Sequence, residues 1–240
     1  MIKNVLLGLY FWILMTLTLV MYLPYLVLRK ISKPLTKRYL LFITRMWARH
    51  VLWVAGVKLN VRGKENIPST DRVAFVTNHQ GYFDIPILMN TIPKLLGFIA
   101  KAELGKVPIV NMWMKAMGCI FIERKKASES LNKSKKRIEQ AQQGEPVVLF
   151  PEGTRSKGPH LGRFKTGSLQ ILFSTDLMIV PVSISGSYRL LEEKNKLRSG
   201  TVHITFHPPI HCSNITEQNA KDVAHQLRNT IQDGLLQETS

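Results

Sequence analysis

Residues 4–28 carry no charged side chain, and this constrains the chain more than any other stretch. A helix of that length rises about 37 Å at roughly 1.5 Å per residue, enough to cross a hydrocarbon layer of about 30 Å. The segment reads as a membrane helix. It lacks the short apolar core and small-residue cleavage site of a removable signal peptide. Arg29, Lys30, Lys33, Lys37 and Arg38 follow it at once, against Lys3 alone before it, a bias that keeps the rest of the chain on the cytoplasmic face, that of a bacterial inner membrane or its equivalent. Pro24 marks a kink, and Tyr10, Trp12, Tyr22 and Tyr25 suit a water interface. Full crossing and a dip as half of a hairpin both fit these residues.

The membrane segment also decides what the charge means. The 240 residues hold 33 Lys and Arg against 16 Asp and Glu, a formal net charge of +17. Such a balance serves nucleic acid or an anionic lipid surface, the latter at about 1 kcal/mol per cation near the membrane. Here the charge is spread out and follows an apolar segment rather than a nucleic-acid-binding module, so a phospholipid membrane is the expected partner and nucleic acid is not. Residues 39–57 are apolar but interrupted by Arg45, Arg49 and His50 on one side of a helix, with Leu41, Phe42, Met46, Val51, Leu52 and Trp53 largely on others. An interfacial helix and a core helix both fit, and the neighbouring segment favours the interface. Two cysteines, Cys119 and Cys212, lie in or beside apolar runs, which argues against a disulfide framework.

Beyond residue 57 the pattern changes to short strands alternating with helices. Residues 57–63, 73–77, 146–150, 177–185 and 201–207 read as strands, with Pro181 breaking the fourth and Pro208-Pro209 stopping the last. Residues 107–117, 128–143 and 217–237 read as helices. In the second of these, Ser128 or Ser130 is the N-cap and Leu131, Ser134, Ile138 and Ala141 face inward. Two loops follow buried strands. The first, Asn78-His79-Gln80-Gly81-Tyr82-Phe83-Asp84, sets an imidazole and a carboxylate five positions apart. A regular helix would splay them, but a turn loosened by Gly81 folds Asp84 back onto His79. A carboxylate on one ring nitrogen leaves the other free to take a proton; taken alone, a surface histidine beside an N-cap aspartate is the commoner meaning of such a pair, and the second loop is what tips the balance. The second loop is Phe150-Pro151-Glu152-Gly153-Thr154-Arg155-Ser156. There Pro151 and Gly153 shape a tight turn that brings backbone N–H groups to an anion, Arg155 offers a bidentate charge, and Glu152 accepts a hydroxyl or braces Arg155.

An N-H-x-x-x-x-D followed about seventy residues later by F-P-E-G-T-R-S resembles the glycerolipid acyltransferase family, specifically its 1-acyl-sn-glycerol-3-phosphate acyltransferases. Gly118-Cys119-Ile120-Phe121-Ile122-Glu123-Arg124 and Ile179-Val180-Pro181-Val182-Ser183 extend the likeness over roughly residues 60 to 210. It implies an α/β fold, a mixed central sheet flanked by helices, with a membrane-embedded helical segment over residues 1–56 and a catalytic unit over 57–240. His79 is then the base that deprotonates the sn-2 hydroxyl of lysophosphatidate and Asp84 its orienter. Asn78, Lys101, Arg124, Glu152, Gly153, Thr154 and Arg155 are the substrate-binding set, with Arg124, Arg155 and Lys101 on the phosphate. Acyl-CoA or acyl-ACP is the co-substrate, which makes acyl carrier protein a candidate partner, and no cofactor is implied. Other lipid acceptors and a non-catalytic anionic-lipid-binding protein are the alternatives. No G-x-S-x-G elbow occurs and neither cysteine has a nucleophile's setting, so no acyl-enzyme is expected. His203, His207 and His211 have no acidic or cysteine partner spaced for a metal.

Overall fold

The structure, a computed structural model, describes residues 2–123, 127–216 and 218–236. Short β-branched runs give β1 (Val57–Arg62), β2 (Val73–Thr77), β3 (Gly97–Lys101), β4 (Ile120–Ile122), β5 (Val147–Leu149), β6 (Met178–Ser185), β7 (Gly200–Phe206) and β8 (Ile210–His211). They form one sheet in the order β1-β7-β6-β2-β5-β3-β4, with β8 beside β6. The run from β6 to β4 is parallel, while β7 and β8 lie antiparallel to β6 and β1 parallel to β7. The sheet is therefore mixed.

Parallel pairs need crossovers, and four helices supply them: α3 (Asp84–Thr91), α4 (Pro108–Ala116), α5 (Ala127–Gln142) and α6 (Thr166–Phe173), while α7 (Ala220–Leu236) follows the last strand and packs on the sheet with α5 and α6. β2 is consequently buried at all five positions. Val73 and Phe75 enter one core with Ile87 and Leu88 of α3, while Ala74 and Val76 enter the other with Ile138, Leu172 and Ile231 of α5, α6 and α7.

Pro181 does not break β6. Its carbonyl accepts His207 N–H at 2.9 Å, so its missing donor faces the junction of β7 and β8, where Pro208 and Pro209 pass and no ladder bond is asked for. α5 begins at Ala127, ahead of both serines expected to cap it. It turns Ser134, Ile138 and Ala141 inward and also buries Arg137, which is 1% exposed. The guanidinium donates to the carbonyls of Glu145 at 3.0 Å and Pro146 at 2.7 Å, in space open only because residue 97 is glycine; a Cβ there would stand 2.0 Å from Nη2.

The N-terminal segment is a helical hairpin. α1 (Ile2–Ile31) and α2 (Lys33–Val54) are separated by Ser32 alone, whose extended backbone and hydroxyl cap α2. They run antiparallel, since the Tyr10 hydroxyl reaches His50 Nε2 and the Tyr39 hydroxyl donates to the Met21 carbonyl. Residues Gly8–Ile31 are long and apolar enough to cross a membrane, and 17% of the most apolar window is buried. Of the aromatics expected at a water interface, Trp12 is exposed, Tyr10 and Tyr22 are half-buried and Tyr25 is buried; Tyr22 lies against Tyr25 and edge-on to Trp113 of α4, with ring centroids 4.9 and 5.2 Å apart. α2 combines both readings of its sequence. Ala48 and Leu52 sit in the core with Phe75, while Phe42 and Trp53 stay 62% and 75% exposed. Asp71 ties the hairpin to the body, accepting Lys37 Nζ of α2 at 2.6 Å and the buried Lys94 Nζ at 3.1 Å.

Candidate active site

The carboxyl ends of β2, β5 and β6 lie side by side, the edge where open parallel sheets place ligands. Each runs into one wall of the site: residues 78–83, 150–156 and 186–192.

The first wall is organised by Asp84, which stands one residue inside α3, the cap position being Phe83. Its carboxylate is fully buried. Oδ2 accepts His79 Nδ1 at 2.7 Å, Gln80 N–H at 2.7 Å and Gly81 N–H at 2.9 Å, and Oδ1 accepts the Ser187 hydroxyl at 2.5 Å. The loosened turn therefore closes on its own carboxylate. An ionised carboxylate only accepts, so Nδ1 carries the proton and Nε2 presents a lone pair. The ring is stacked on Phe150 with centroids 4.1 Å apart, and the side chain is 17% exposed. An oriented, partly accessible imidazole of this kind can take a proton from a hydroxyl.

The second wall is fastened to the first through backbone. Ser156 N–H donates to the His79 carbonyl at 2.8 Å and Lys157 N–H to that of Gln80 at 3.2 Å. Glu152 completes the clasp, with Oε1 accepting His79 N–H and Oε2 accepting Gly162 N–H, both at 2.7 Å. Burial pushes its pKa up, against the pull of those two N–H donors. Both oxygens are spent on backbone, and the expected brace between Glu152 and Arg155 is not what forms. Arg155 instead pairs with Glu192 at 3.3 Å and lies over the Tyr82 ring with Cζ 3.6 Å from its centroid. Gly153 has φ +67°, and the Lys165 side chain crosses the face where a Cβ would stand. Thr154 is exposed.

The third wall had no counterpart among the residues singled out from sequence. Gln80 Oε1 accepts Gly186 N–H at 3.0 Å and the Ser187 hydroxyl at 3.3 Å. Glu192, with its side chain 4% exposed, accepts Tyr82 N–H at 2.7 Å as well as Arg155. The available signal was positional: Gly186-Ser187-Tyr188 leaves the third strand of the same parallel set.

The remaining candidates are dispersed. The Asn78 side chain is 1% exposed and exchanges two hydrogen bonds of 2.8 Å with the Ile184 backbone, bracing β2 against β6. Lys101, at the tip of β3, pairs with Glu103 at 2.7 Å on the surface. Arg124 lies outside the described residues, two positions past the end of β4. His207 is half-buried against the Ser183 hydroxyl at 2.7 Å, His211 is exposed, and His203 lies in the middle of β7, with His207 just past its end. Cys119 and Cys212 are buried thiols whose pKa burial raises to about 11.

A mixed sheet that presents a His–Asp pair and an arginine loop at the ends of its parallel strands defines an acyltransferase of the H-x-x-x-x-D class. The family model described as Acyltransferase matches residues 58–185, just over half of the chain, and the chain belongs to that family, in its PlsC-like 1-acyl-sn-glycerol-3-phosphate acyltransferase group. A 1-acyl-sn-glycerol-3-phosphate acyltransferase of Borreliella burgdorferi is 31% identical over 181 residues, 75% of this chain and 72% of that protein. A chloroplastic one of Arabidopsis thaliana is 33% identical over 183 residues, and the chain spans 51% of its length. The crystal structure of PlsC, the 1-acyl-sn-glycerophosphate acyltransferase of Thermotoga maritima, is 27% identical with a TM-score of 0.84, covering 100% of this chain and 97% of that one.

Proposed function

We propose that this chain moves a fatty acyl group from an acyl thioester to the sn-2 hydroxyl of lysophosphatidate, giving phosphatidate for phospholipid synthesis. The observation that carries this reading is the 2.7 Å contact of His79 Nδ1 with the buried Asp84 carboxylate, fastened by backbone to the loop that bears Arg155. Nε2 of His79 takes the hydroxyl proton, the alkoxide oxygen forms its bond to the thioester carbonyl carbon, and the C–S bond breaks. The proton returns from the imidazolium to the departing thiolate, and Asp84 steadies the ring's charge between these steps. Arg155 holds the acceptor's phosphate, which positions the hydroxyl beside His79. The relatives named above act on this acceptor by name, which supports the choice. Acyl-CoA and acyl-ACP both meet the chemistry of the donor.

The acceptor is a lipid, and the α1–α2 hairpin gives the protein a place at its surface. Leu9, Ile13, Leu17, Val20 and Leu23 of α1 and Phe42 and Trp53 of α2 are exposed apolar side chains, and Arg29, Lys30 and Lys33 gather at the hairpin's turn, where anionic headgroups attract them. With α2 folded back along α1, the hairpin lies along one leaflet on the cytoplasmic face, its basic turn at the headgroups and its exposed apolar side chains toward the acyl region.

The deciding experiment follows thiol release from acyl-CoA by purified protein in detergent, with and without lysophosphatidate. Release that requires lysophosphatidate and yields phosphatidate by mass is the expected result. Lipid binding without thiol release would leave a non-catalytic binding protein.

A further inference from the structure

A second, separate receptacle opens on the same edge of the sheet. It has a volume of about 340 Å³ and lies where the carboxyl end of β6 meets the start of β7, with Ser185 registered against His203. Arg189, Arg198, His203, Thr201 and Glu193 line it together with glycine backbone, and no apolar side chain does. His79 and Arg155 take no part in it.

The lining is held in place by the loop that joins the two strands. Glu193 N–H donates to the Tyr188 carbonyl at 3.0 Å and Arg198 N–H to that of Leu190 at 2.8 Å, folding the loop back through Asn195, whose φ of +47° is left-handed. Arg189 is fixed from its inner side: Nε donates to the Tyr188 hydroxyl at 3.1 Å, leaving both terminal nitrogens to donate elsewhere. Two guanidinium groups against one carboxylate make a receptacle for an anion, and their forked donors match phosphate oxygens. Side chains that are polar or charged throughout suit a hydrophilic group better than an acyl chain. Among the described residues none of α1 or α2 lines this cavity, which suits a ligand that arrives from water rather than from the bilayer.

The cavity is also coupled to the reaction centre by chain continuity. Ser185 and Gly186 line it. Gly186 N–H holds Gln80, and the next residue, Ser187, holds the Asp84 carboxylate. A ligand that suits both places is water-borne, carries phosphate at one end and offers its reacting group at the end of a flexible arm. We propose that this cavity takes the phosphate-bearing nucleotide head of coenzyme A in the acyl donor, with Arg189 and Arg198 on its phosphates. This rests on the acyl-transfer reading above and names the donor that reading leaves open.

The test measures binding of free coenzyme A and of 3′-dephospho-coenzyme A by calorimetry in detergent, with no acceptor present, to the full chain and to Arg189→Ala, Arg198→Ala and the double variant. A lost charged hydrogen bond predicts coenzyme A binding about tenfold weaker in each single variant. Removing the 3′-phosphate should weaken binding to the unsubstituted chain and cost the double variant nothing further. In turnover the change should fall on KM for acyl-CoA and leave KM for lysophosphatidate and the rate with acyl-ACP alone. Unaltered coenzyme A binding in the double variant overturns the proposal, as does a rise in KM for lysophosphatidate in place of acyl-CoA. Because binding is read without turnover, arginine-dependent binding of coenzyme A in a chain that transfers no acyl group would uphold this site while defeating the acyl-transfer reading.

Discussion

His79 and Asp84 stand five residues apart in the chain and 2.7 Å apart in space, and the carboxylate oxygen that holds the imidazole also holds the backbone N–H groups of Gln80 and Gly81. The ring and the turn that carries it are fixed by one atom, so chemistry and local structure are coupled at Asp84 and separable at His79.

His79→Ala should therefore leave the fold intact and lower acyl transfer by at least the 10²–10⁴-fold typical of a general base. Asp84→Asn should do both kinds of damage, because an amide NH₂ would be set against N–H groups that need an acceptor; a loss of about 1–3 kcal/mol of stability is expected besides the loss of rate. Thiol release and thermal unfolding, measured on both variants, separate the two effects. A His79→Ala protein that turns over normally would end the assigned role.

Arg155 is held by a carboxylate on one side and an aromatic face on the other, with Cζ 3.6 Å from the Tyr82 ring centroid. Arg155→Ala should raise KM for lysophosphatidate about tenfold, the worth of a charged hydrogen bond, with a smaller change in kcat. Arg155→Lys should not restore it, since an ammonium neither stacks as a plane nor forks. Steady-state kinetics with the acceptor varied at saturating donor gives the answer.

Glu192 supports that arginine. A Cβ on residue 81 would stand 2.5 Å from its Oε2, so Gly81→Ala should push the carboxylate away from Tyr82 N–H and Arg155. Glu192→Ala removes it altogether, leaving the partly buried Arg155 and the Tyr82 amide short of an acceptor. Both variants should reproduce the raised KM of Arg155→Ala, and adding either to Arg155→Ala should cost less than the two separate losses combined. A full additive loss in that double-mutant cycle would show that Glu192 acts on something else.

The parts legible in the sequence were those set by local pattern. Buried β-branched runs such as residues 73–77 announce strands, and a histidine and aspartate flanking Gly81 announce a turn that can close on itself. What pattern could not supply were partners brought in by topology. Ser187 and Glu192 lie more than a hundred residues from the turn they complete, in a segment whose composition is ordinary, and only the parallel order of β2, β5 and β6 sets them beside it. Arg137 escaped for another reason: on the helical wheel of α5 it reads as one more wet cation, and the hole that admits it is made by a glycine on a different element. Four of the five aromatics of α1 are assigned to a water interface by residue type alone, which says nothing of the cluster that Tyr22 and Tyr25 form with Trp113 of α4.

Glu152 gives a pH-dependent prediction. Burial raises its pKa above the ordinary 4.5, so between that value and the raised one the folded chain keeps a proton that the unfolded chain has lost. Stability then falls as pH rises through this window, opposite to the behaviour of a salt-bridged carboxylate such as Asp71, where the cost of burial is outweighed by Lys37 and Lys94 and the pKa is lowered. Glu152→Gln should abolish that slope. It should also be less stable than the unsubstituted chain by about 1–3 kcal/mol on the plateau above the window, because one amide oxygen cannot accept both His79 N–H and Gly162 N–H. Chemical denaturation from pH 4.5 upward, run on both proteins, tests the two halves together: parallel curves would mean that Glu152 does not titrate differently on folding, and equal midpoints on the plateau would mean that the clasp between the two motif loops adds no stability.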